Sequence, residues 1–311
     1  MTARFIWLIS ASWSGVFHKW RKAAFANKQR MHEEENDMNL KWKKPLAMLL
    51  VVCMLLTILP VAAFAEGNEV AQIGNTKYST LQEAVNAAGT TPSTITLLKD
   101  TIEDITIANG QTITLNLNDC TLTNVDGHTI TNQGTLTIKG SGTVDNVTHA
   151  KAALWNEVGA TAFLNGGNFT RSQEAGTDAN TSGGNSYYVV LNHGTMTITE
   201  GVKVEANGKY SSLIENGWQN GSNNTSKNDS NLTINGGTFT GGLNTIKNDD
   251  YGELTINGGE FFNDAQHAVM NWNVTTIKTG TFRAKSAVVW NGYADSTMDQ
   301  GKLTIEGGSF T

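Results

Sequence analysis

Asp249 and Asp250, followed in the chain by few other clustered carboxylates, and His193 in the triplet Asn192-His193-Gly194 are the residues best suited by type to acid–base chemistry. Two carboxyl groups can divide the work of bond cleavage, one donating a proton and the other acting as base or nucleophile, but only at a defined separation. A lone adjacent pair reads instead as a solvent-exposed turn after Asn248, and no catalytic residue is assigned. His128, His149, His193 and His267 lack metal-ligand spacing. The segment 248–253, NDDYGE, offers oxygens without the ligand spacing of a calcium loop. No metal and no cofactor are expected. A different chemistry is offered by Trp155, Trp218, Trp272 and Trp290, together with Leu191 and Met270, which recur beside a repeated asparagine. Flat aromatic rings next to amides and hydroxyls suit the apolar faces and hydroxyls of sugar rings.

Where these side chains point depends on a repeat. The phrase LTINGGTFT at 232–240 returns as LTINGGEFF at 254–262, and related phrases begin at 136, 162, 196, 275 and 303. Each is preceded by a short apolar segment ending in asparagine: Asn132, Asn156, Asn192, Asn216, Asn248, Asn271 and Asn291. Successive asparagines are 24, 36, 24, 32, 23 and 20 residues apart, so the shortest spacing defines a unit and the longer ones mark insertions. Residues two apart on a strand share a face. Ile130, Leu154, Val190, Ile214, Ile246, Val269 and Val289 therefore point inward with the asparagines. The residue just before each asparagine points outward: Thr131, Trp155, Leu191, Glu215, Lys247, Met270 and Trp290. An outward row this rich in Trp, Leu and Met is a contact surface unless the insertions at 171–188 and 217–231 fold over it; both outcomes stay open. A second outward row, Thr137, Thr197, Thr233, Thr255, Thr276 and Thr304 with Phe163 as its exception, is explained by the strand preference of threonine.

Three strands per unit of about 20 residues, with no helical pattern between them, describe an all-β fold: a right-handed parallel β-helix whose coils stack at about 4.8 Å. Gly-Gly corners turn the chain, and Phe169, Phe239, Phe261, Phe282 and Phe310 mark the third strand. The seven asparagines then stand above one another as a structural ladder of side-chain amides. An open sheet edge needs a cover. Residues 78–89, YSTLQEAVNAAG, supply an N-terminal capping α-helix with Leu81, Ala84, Val85 and Ala88 on one face, Ser79 with Gln82 as a capping box, and Gly89 as its end. Strands are expected at 94–98, 104–107 and 112–117. Thr311 falls inside a unit without a cap, so the polypeptide is expected to continue.

The 311 residues divide by charge. Residues 1–65 hold nine basic and four acidic side chains, while 66–311 hold thirteen and twenty-four. An acidic surface excludes nucleic acid as a partner. Residues 38–65 begin with Lys41, Lys43 and Lys44, continue with an apolar run from Leu46 to Leu59, and end in Ala63-Phe64-Ala65, a secretory signal peptide. Residues 1–37 precede this signal as a misassigned or dispensable leader. Contact with a membrane is expected only through the signal segment. Cys53 lies in the apolar run and leaves Cys120 alone in the exported chain, which excludes an internal disulfide. The domain plan is a leader at 1–37, signal at 38–65, cap helix and first strands at 66–111, and coils at 112–311.

The stretch YSTLQEAVNAAG, then TITLLKD, then DITIANGQTITLNLNDCTL resembles the opening of the pectin-lyase-like right-handed parallel β-helix superfamily, in the form seen in large repeat-bearing surface proteins of Gram-positive bacteria. The resemblance covers nearly all of 70–311. It implies a bacterial protein that is secreted or displayed at the cell surface, and it is silent on activity, because lyases, hydrolases and non-catalytic adhesins share the fold. The lyases of that superfamily use an arginine close to a proline. Here Pro92 is the only proline after the signal, and Arg171 and Arg283 are far from it. The hydrolases need aspartates on successive coils beside Gly-His-Gly, for which 126–128 and 192–194 are the nearest matches. The expected function is accordingly a binding, adhesion or structural module that contacts a polysaccharide or a host or cell-wall glycan through Trp155, Leu191, Trp218, Met270, Trp272 and Trp290. The alternative is a polysaccharide lyase or glycoside hydrolase. N-terminal sequencing of the exported protein is expected to read from Glu66 onward; a start at Met38 or earlier would mean that the apolar run is retained as an anchor.

Overall fold

The computed structural model describes residues 67–174, 185–218, 228–292 and 301–311. The leader and signal segment lie outside the described residues, as do parts of both long insertions. Residues from Gly67 onward form a right-handed parallel β-helix of about eight turns with three sheets. One sheet of eleven strands carries the LTI phrases, one of eight carries the asparagines, and one of nine carries the phenylalanines; we call them the Thr, Asn and Phe sheets.

The first coil is closed by more than a helix. Helix α1, Leu81–Ala88, buries Leu81, Ala84, Val85 and Ala88, and Gly89 ends it at φ 56°. Its capping box is Thr80 with Glu83 and not Ser79 with Gln82: Thr80 Oγ1 accepts from Glu83 N at 3.1 Å, and Glu83 Oε2 accepts from Thr80 N at 3.2 Å. Gln82 is used instead to fasten the helix to the first coil, donating to the Thr106 carbonyl at 3.1 Å and accepting from Thr106 N at 2.7 Å. The Glu103 carboxylate takes the N–H groups of Leu81 and Gln82, each at 2.8 Å, and so serves a helix end that would otherwise keep free donors. An antiparallel hairpin, Ala71–Ile73 and Thr76–Tyr78, pairs with Ser93–Leu97 and occupies the first edge of the Thr sheet. The expected strands at 94–98, 104–107 and 112–117 are present as Ser93–Leu97, Ile105–Ile107 and Thr112–Asn116.

Coil after coil pairs in one register. In the Asn sheet the three-residue strands from Ile130–Asn132 to Val289–Asn291 place each asparagine opposite the next. Each Nδ2 donates to the Oδ1 of the following asparagine at 2.7, 2.8, 2.7, 2.8, 2.9 and 2.7 Å from Asn132 to Asn291. The second amide hydrogen goes to backbone carbonyls of the Thr sheet side, such as Thr161 and Thr195. The residues two before each asparagine are buried except Val289, which is half-buried in the last coil.

The other two sheets repeat the principle. Phe239, Phe261, Phe282 and Phe310 stack at 4.8, 4.7 and 4.9 Å between ring centroids, nearly parallel. Glycine is required at the corner before them, because Gly237 sits at φ 106° and a Cβ on Gly280 would lie 2.9 Å from the Phe282 ring. The outward Thr column, with Phe163 in its place on one coil, is in register throughout. One polar residue enters the apolar interior column: Thr275 pairs in register with Leu254 and Leu303, and its Oγ1 donates to Asn271 Oδ1 at 2.7 Å, so the ladder satisfies it.

Removing a buried rung should cost more than removing an exposed amide–amide bond. Asn192→Ala deletes the acceptor for Asn156 Nδ2 and the donor to Asn216 Oδ1, both buried, for a loss of about 2–4 kcal/mol in denaturant unfolding, whereas Asn257→Ala, which removes the exposed bond from Asn257 Nδ2 to Asn235 Oδ1 at 2.7 Å, should cost under about 1 kcal/mol. Equal losses at the two positions would mean that burial adds nothing to the ladder.

Candidate functional site

The outward row of the Asn sheet is in register from Thr131 to Trp290, but most of it is not open. Trp290 is 48% exposed, whereas Leu191, Glu215, Lys247 and Trp272 keep 5%, 3%, 7% and 9%. Of the two outcomes the repeat left open, cover holds in the middle of the row, while Trp290 is exposed. Strand alternation decides which side of the sheet a residue takes; it cannot say whether another segment covers that side. Trp155, Trp218 and Met270 are half-buried.

The cover is aromatic. Along the first coils the rings run His128, Trp155, His193, Trp218, with centroid separations of 5.0, 6.2 and 3.8 Å, the last pair stacked at 8°. Trp155 Nε1 donates to His193 Nδ1 at 3.3 Å, and His128 Nδ1 accepts from Ala152 N at 2.9 Å. Each histidine thus uses Nδ1 as an acceptor, and burial pushes both imidazoles down to about 4. Tyr187 and Tyr188, at the end of the first insertion, pack on each other and reach this face, Tyr187 lying 6.2 Å from His128. The same insertion is anchored by Arg171. Its fully buried guanidinium donates to Asn146 Oδ1 and the Thr148 carbonyl at 3.1 Å, pairs with Glu174 at 3.3 Å, and reaches Asn185 across the insertion. Burial holds Glu174 up at about 7 in spite of this partner.

Beneath the cover lies a carboxylate cluster. Asp249 and Asp250 are not a solvated turn: they are 0% and 7% exposed. A tight turn fixes them, with Gly252 N donating to the Asp249 carbonyl at 2.9 Å and Tyr251 at φ 62°. Trp218 bridges to Asp250 by a backbone hydrogen bond at 2.9 Å, which brings the coil of Asn216 over this turn. Lys247 Nζ is 2.6 Å from Asp249 Oδ2 and 4.0 Å from the centre of the Trp272 ring. Glu215, one coil away in register with Lys247, bonds to both Asp249 and Tyr188. Burial first, and the Asp249 charge second, push Glu215 up to about 8, against the pull of Lys247; the same two causes hold Asp250 at about 6. Burial and then Glu215 push the Tyr188 phenol far above its ordinary value.

Beside this cluster a cleft of about 570 Å³ opens to solvent. Tyr187, Tyr188, Tyr210, Met270 and Trp272 give it apolar walls, and Ser211, Ser212, Asn244, Gln266 and Lys247 give it polar ones. Of the six sequence-derived contact residues it gathers Met270 and Trp272; Leu191 and Trp218 are in the covered stretch, and Trp155 and Trp290 stand outside it. Trp290 Nε1 is engaged with the Gly292 carbonyl at 2.8 Å. The repeat gives no sign of Tyr187, Tyr188 or Tyr210, because the first two end the insertion at 171–188 and Tyr210 lies in the loop between the strands Lys203–Ala206 and Ile214–Asn216. The adjacent tyrosines immediately before an asparagine strand were the available signal.

Among the described residues no three His, Cys, Asp or Glu side chains converge on a metal position, and no helix is long and apolar enough to cross a membrane. No protein-family model, no curated protein and no solved structure matches the chain.

The buried acids make stability depend on pH. Glu215, Glu174 and Asp250 hold their protons more tightly in the fold than in the unfolded chain, so their contribution is present at low pH and is lost as pH rises from their ordinary 4.5, 4.5 and 3.8 through about 8, 7 and 6. His128 and His193 act oppositely, contributing above 6.5 and losing that contribution as pH falls toward 4. Below 6.5 the two trends oppose; between 6.5 and 8 the carboxyl groups act alone. The thermal midpoint should fall over that interval, and Glu215→Gln should remove most of the slope between 7 and 8. A midpoint rising with pH in the unsubstituted protein would contradict the assignment of buried, protonated acids.

Proposed function

We propose that the protein is a non-catalytic binding module of a bacterial cell surface or secretome, built on a β-helix of the pectin-lyase-like superfamily, and that it contacts glycan at the cleft beside Tyr188 and Trp272. The observation that carries this reading is the cleft's composition: aromatic walls from Tyr187, Tyr210 and Trp272 face hydroxyls and amides of Ser211, Ser212, Asn244 and Gln266. Rings accept the C–H faces of a sugar while the short polar groups exchange hydrogen bonds with its hydroxyls. The rigid stack of coils holds both sets in place, so little ordering is required on binding. The signal segment, the acidic exported chain and the resemblance of residues 70–311 support the location and lineage.

Polysaccharide cleavage is the second reading, favoured by the raised acids Glu215 and Asp250 next to the cleft. Against it, Glu215 and Asp249 are bonded to each other, whereas paired-carboxylate hydrolysis needs the groups about 5 Å or more apart. Incubation with polyuronates and mixed glycans, with and without calcium, separates the two: release of unsaturated or reducing ends removes the binding-only reading. Under that reading Tyr210→Ala, a 37% exposed ring, should weaken retention on a glycan array roughly tenfold without changing the far-ultraviolet spectrum. Trp155→Ala with Trp290→Ala should have a smaller effect, since both lie outside the cleft; unchanged retention in every variant would sink the assignment.

A further inference from the structure

The contact between Lys247 and Asp249 is an unusual ion pair. Lys247 is the middle residue of the strand Ile246–Asn248 and Asp249 opens the turn that follows it, and their side chains meet. The ammonium lies 2.6 Å from Asp249 Oδ2, yet that oxygen has no partner in hydrogen-bonding geometry. The two side chains are 9% and 0% exposed. A buried ion pair repays its desolvation only when its remaining lone pairs and protons are bonded, and here they are not: Glu215 Oε1 and Asp250 Oδ2 are also buried without a partner. Asp249 touches the ammonium, Glu215 and Asp250 act on the same charge, and the Trp272 ring lies against it. Asp249 is held rigidly from behind, its Oδ1 accepting from Asp250 N at 3.0 Å and its backbone N donating to the Asn216 carbonyl at 2.8 Å.

We propose that Lys247 and Asp249 condense to an intramolecular amide, with Glu215 as the proton shuttle. The bond formed joins Lys247 Nζ to Asp249 Cγ; the bond broken is Cγ–Oδ2. The ammonium carries three protons and the amide keeps one, so two protons leave with Oδ2 as water, and no oxidant, activating group or other reactant is needed. Glu215, bonded to Asp249 and neutral by virtue of its burial, is placed to protonate the departing oxygen and to recover a proton from the nitrogen. Proximity supplies the rate, because two groups locked at contact distance react as one molecule. The low-dielectric surroundings supply the drive, because the product replaces two buried charges with a neutral amide. The outcome suits an exported chain whose single cysteine, Cys120, leaves it without internal disulfides: the amide would lock the turn over which the Trp218 segment rests.

Peptide mass spectrometry of the purified full chain tests this independently of any glycan. Trypsin should fail to separate Lys247 from Asn248, and the peptide 228–278 should be recovered one water lighter than its sequence mass. Two separate peptides of full mass from the unsubstituted protein would overturn the proposal. A cyclic imide between Asp249 and Asp250 would also lose water, and Lys247→Arg distinguishes it: the water must be regained in that variant, and a loss that persists overturns the amide. In Glu215→Gln the unlinked peptides should predominate; full conversion there would overturn the shuttle role of Glu215. Because the first measurement needs no substitution, failure of a variant to fold leaves it decisive.

Discussion

The amide–amide hydrogen bond that joins each coil to the next is the constraint on which the structure depends. An asparagine side chain buried in an apolar interior must have its donors and acceptor met, and here the acceptor of one coil is met by the donor of the coil before it. That requirement fixes axial register: a coil displaced by one residue would send the asparagine to the outside and an unpaired backbone to the inside. With register fixed, the phenylalanine stack and the Thr column follow as consequences. Identical side chains recur at the strand spacing, where aromatic rings stack almost parallel and β-branched residues pack side by side.

Such a scaffold leaves limited room for chemistry. Each strand of the Asn sheet is three residues long and offers one outward position per coil, so a functional surface must be assembled from several coils and from the insertions between them. The middle of the protein uses both. Glu215 and Lys247 come from neighbouring coils, Asp249 and Asp250 from the turn that follows one of them, and Tyr188 and Trp218 from the insertions that close over them. Burial then does what composition alone would not: it turns ordinary carboxyl groups into proton holders and brings an amine within reach of an acid. The same closure leaves one cleft where tyrosines and small polar side chains face water together.

Much of the fold was legible because the repeat is nearly one-dimensional. The seven asparagines, the inward residues two before them and the cap helix could be placed from periodicity, since each obeys a rule that acts within a few residues or between adjacent coils. The misplaced capping box, Ser79 with Gln82 in place of Thr80 with Glu83, shows the limit of that logic. The two motifs differ by one residue, and the choice was made by Glu103 and Thr106 on another coil, which bind the helix start and Gln82. The hairpin at Ala71–Tyr78 was unanticipated for a similar reason, because its pairing partner is Ser93–Leu97 beyond the helix.

The amino-acid order by itself determined the coil, its register and which face each strand residue takes, because those follow from alternation along a strand and from like residues meeting like at a fixed spacing. Only the tertiary structure decided which outward residues meet water. Asp249 and Asp250 looked like a solvated turn and are buried; Leu191 and Trp272, whose exposure the repeat left open, are covered; Tyr210 belonged to no pattern and lines the cleft. The physical reason is that exposure is not a property of a strand position. It is set by segments outside the repeat, whose paths are chosen by long-range contacts such as the Arg171 clamp and the Trp218–Asp250 bridge, and these have no period to read.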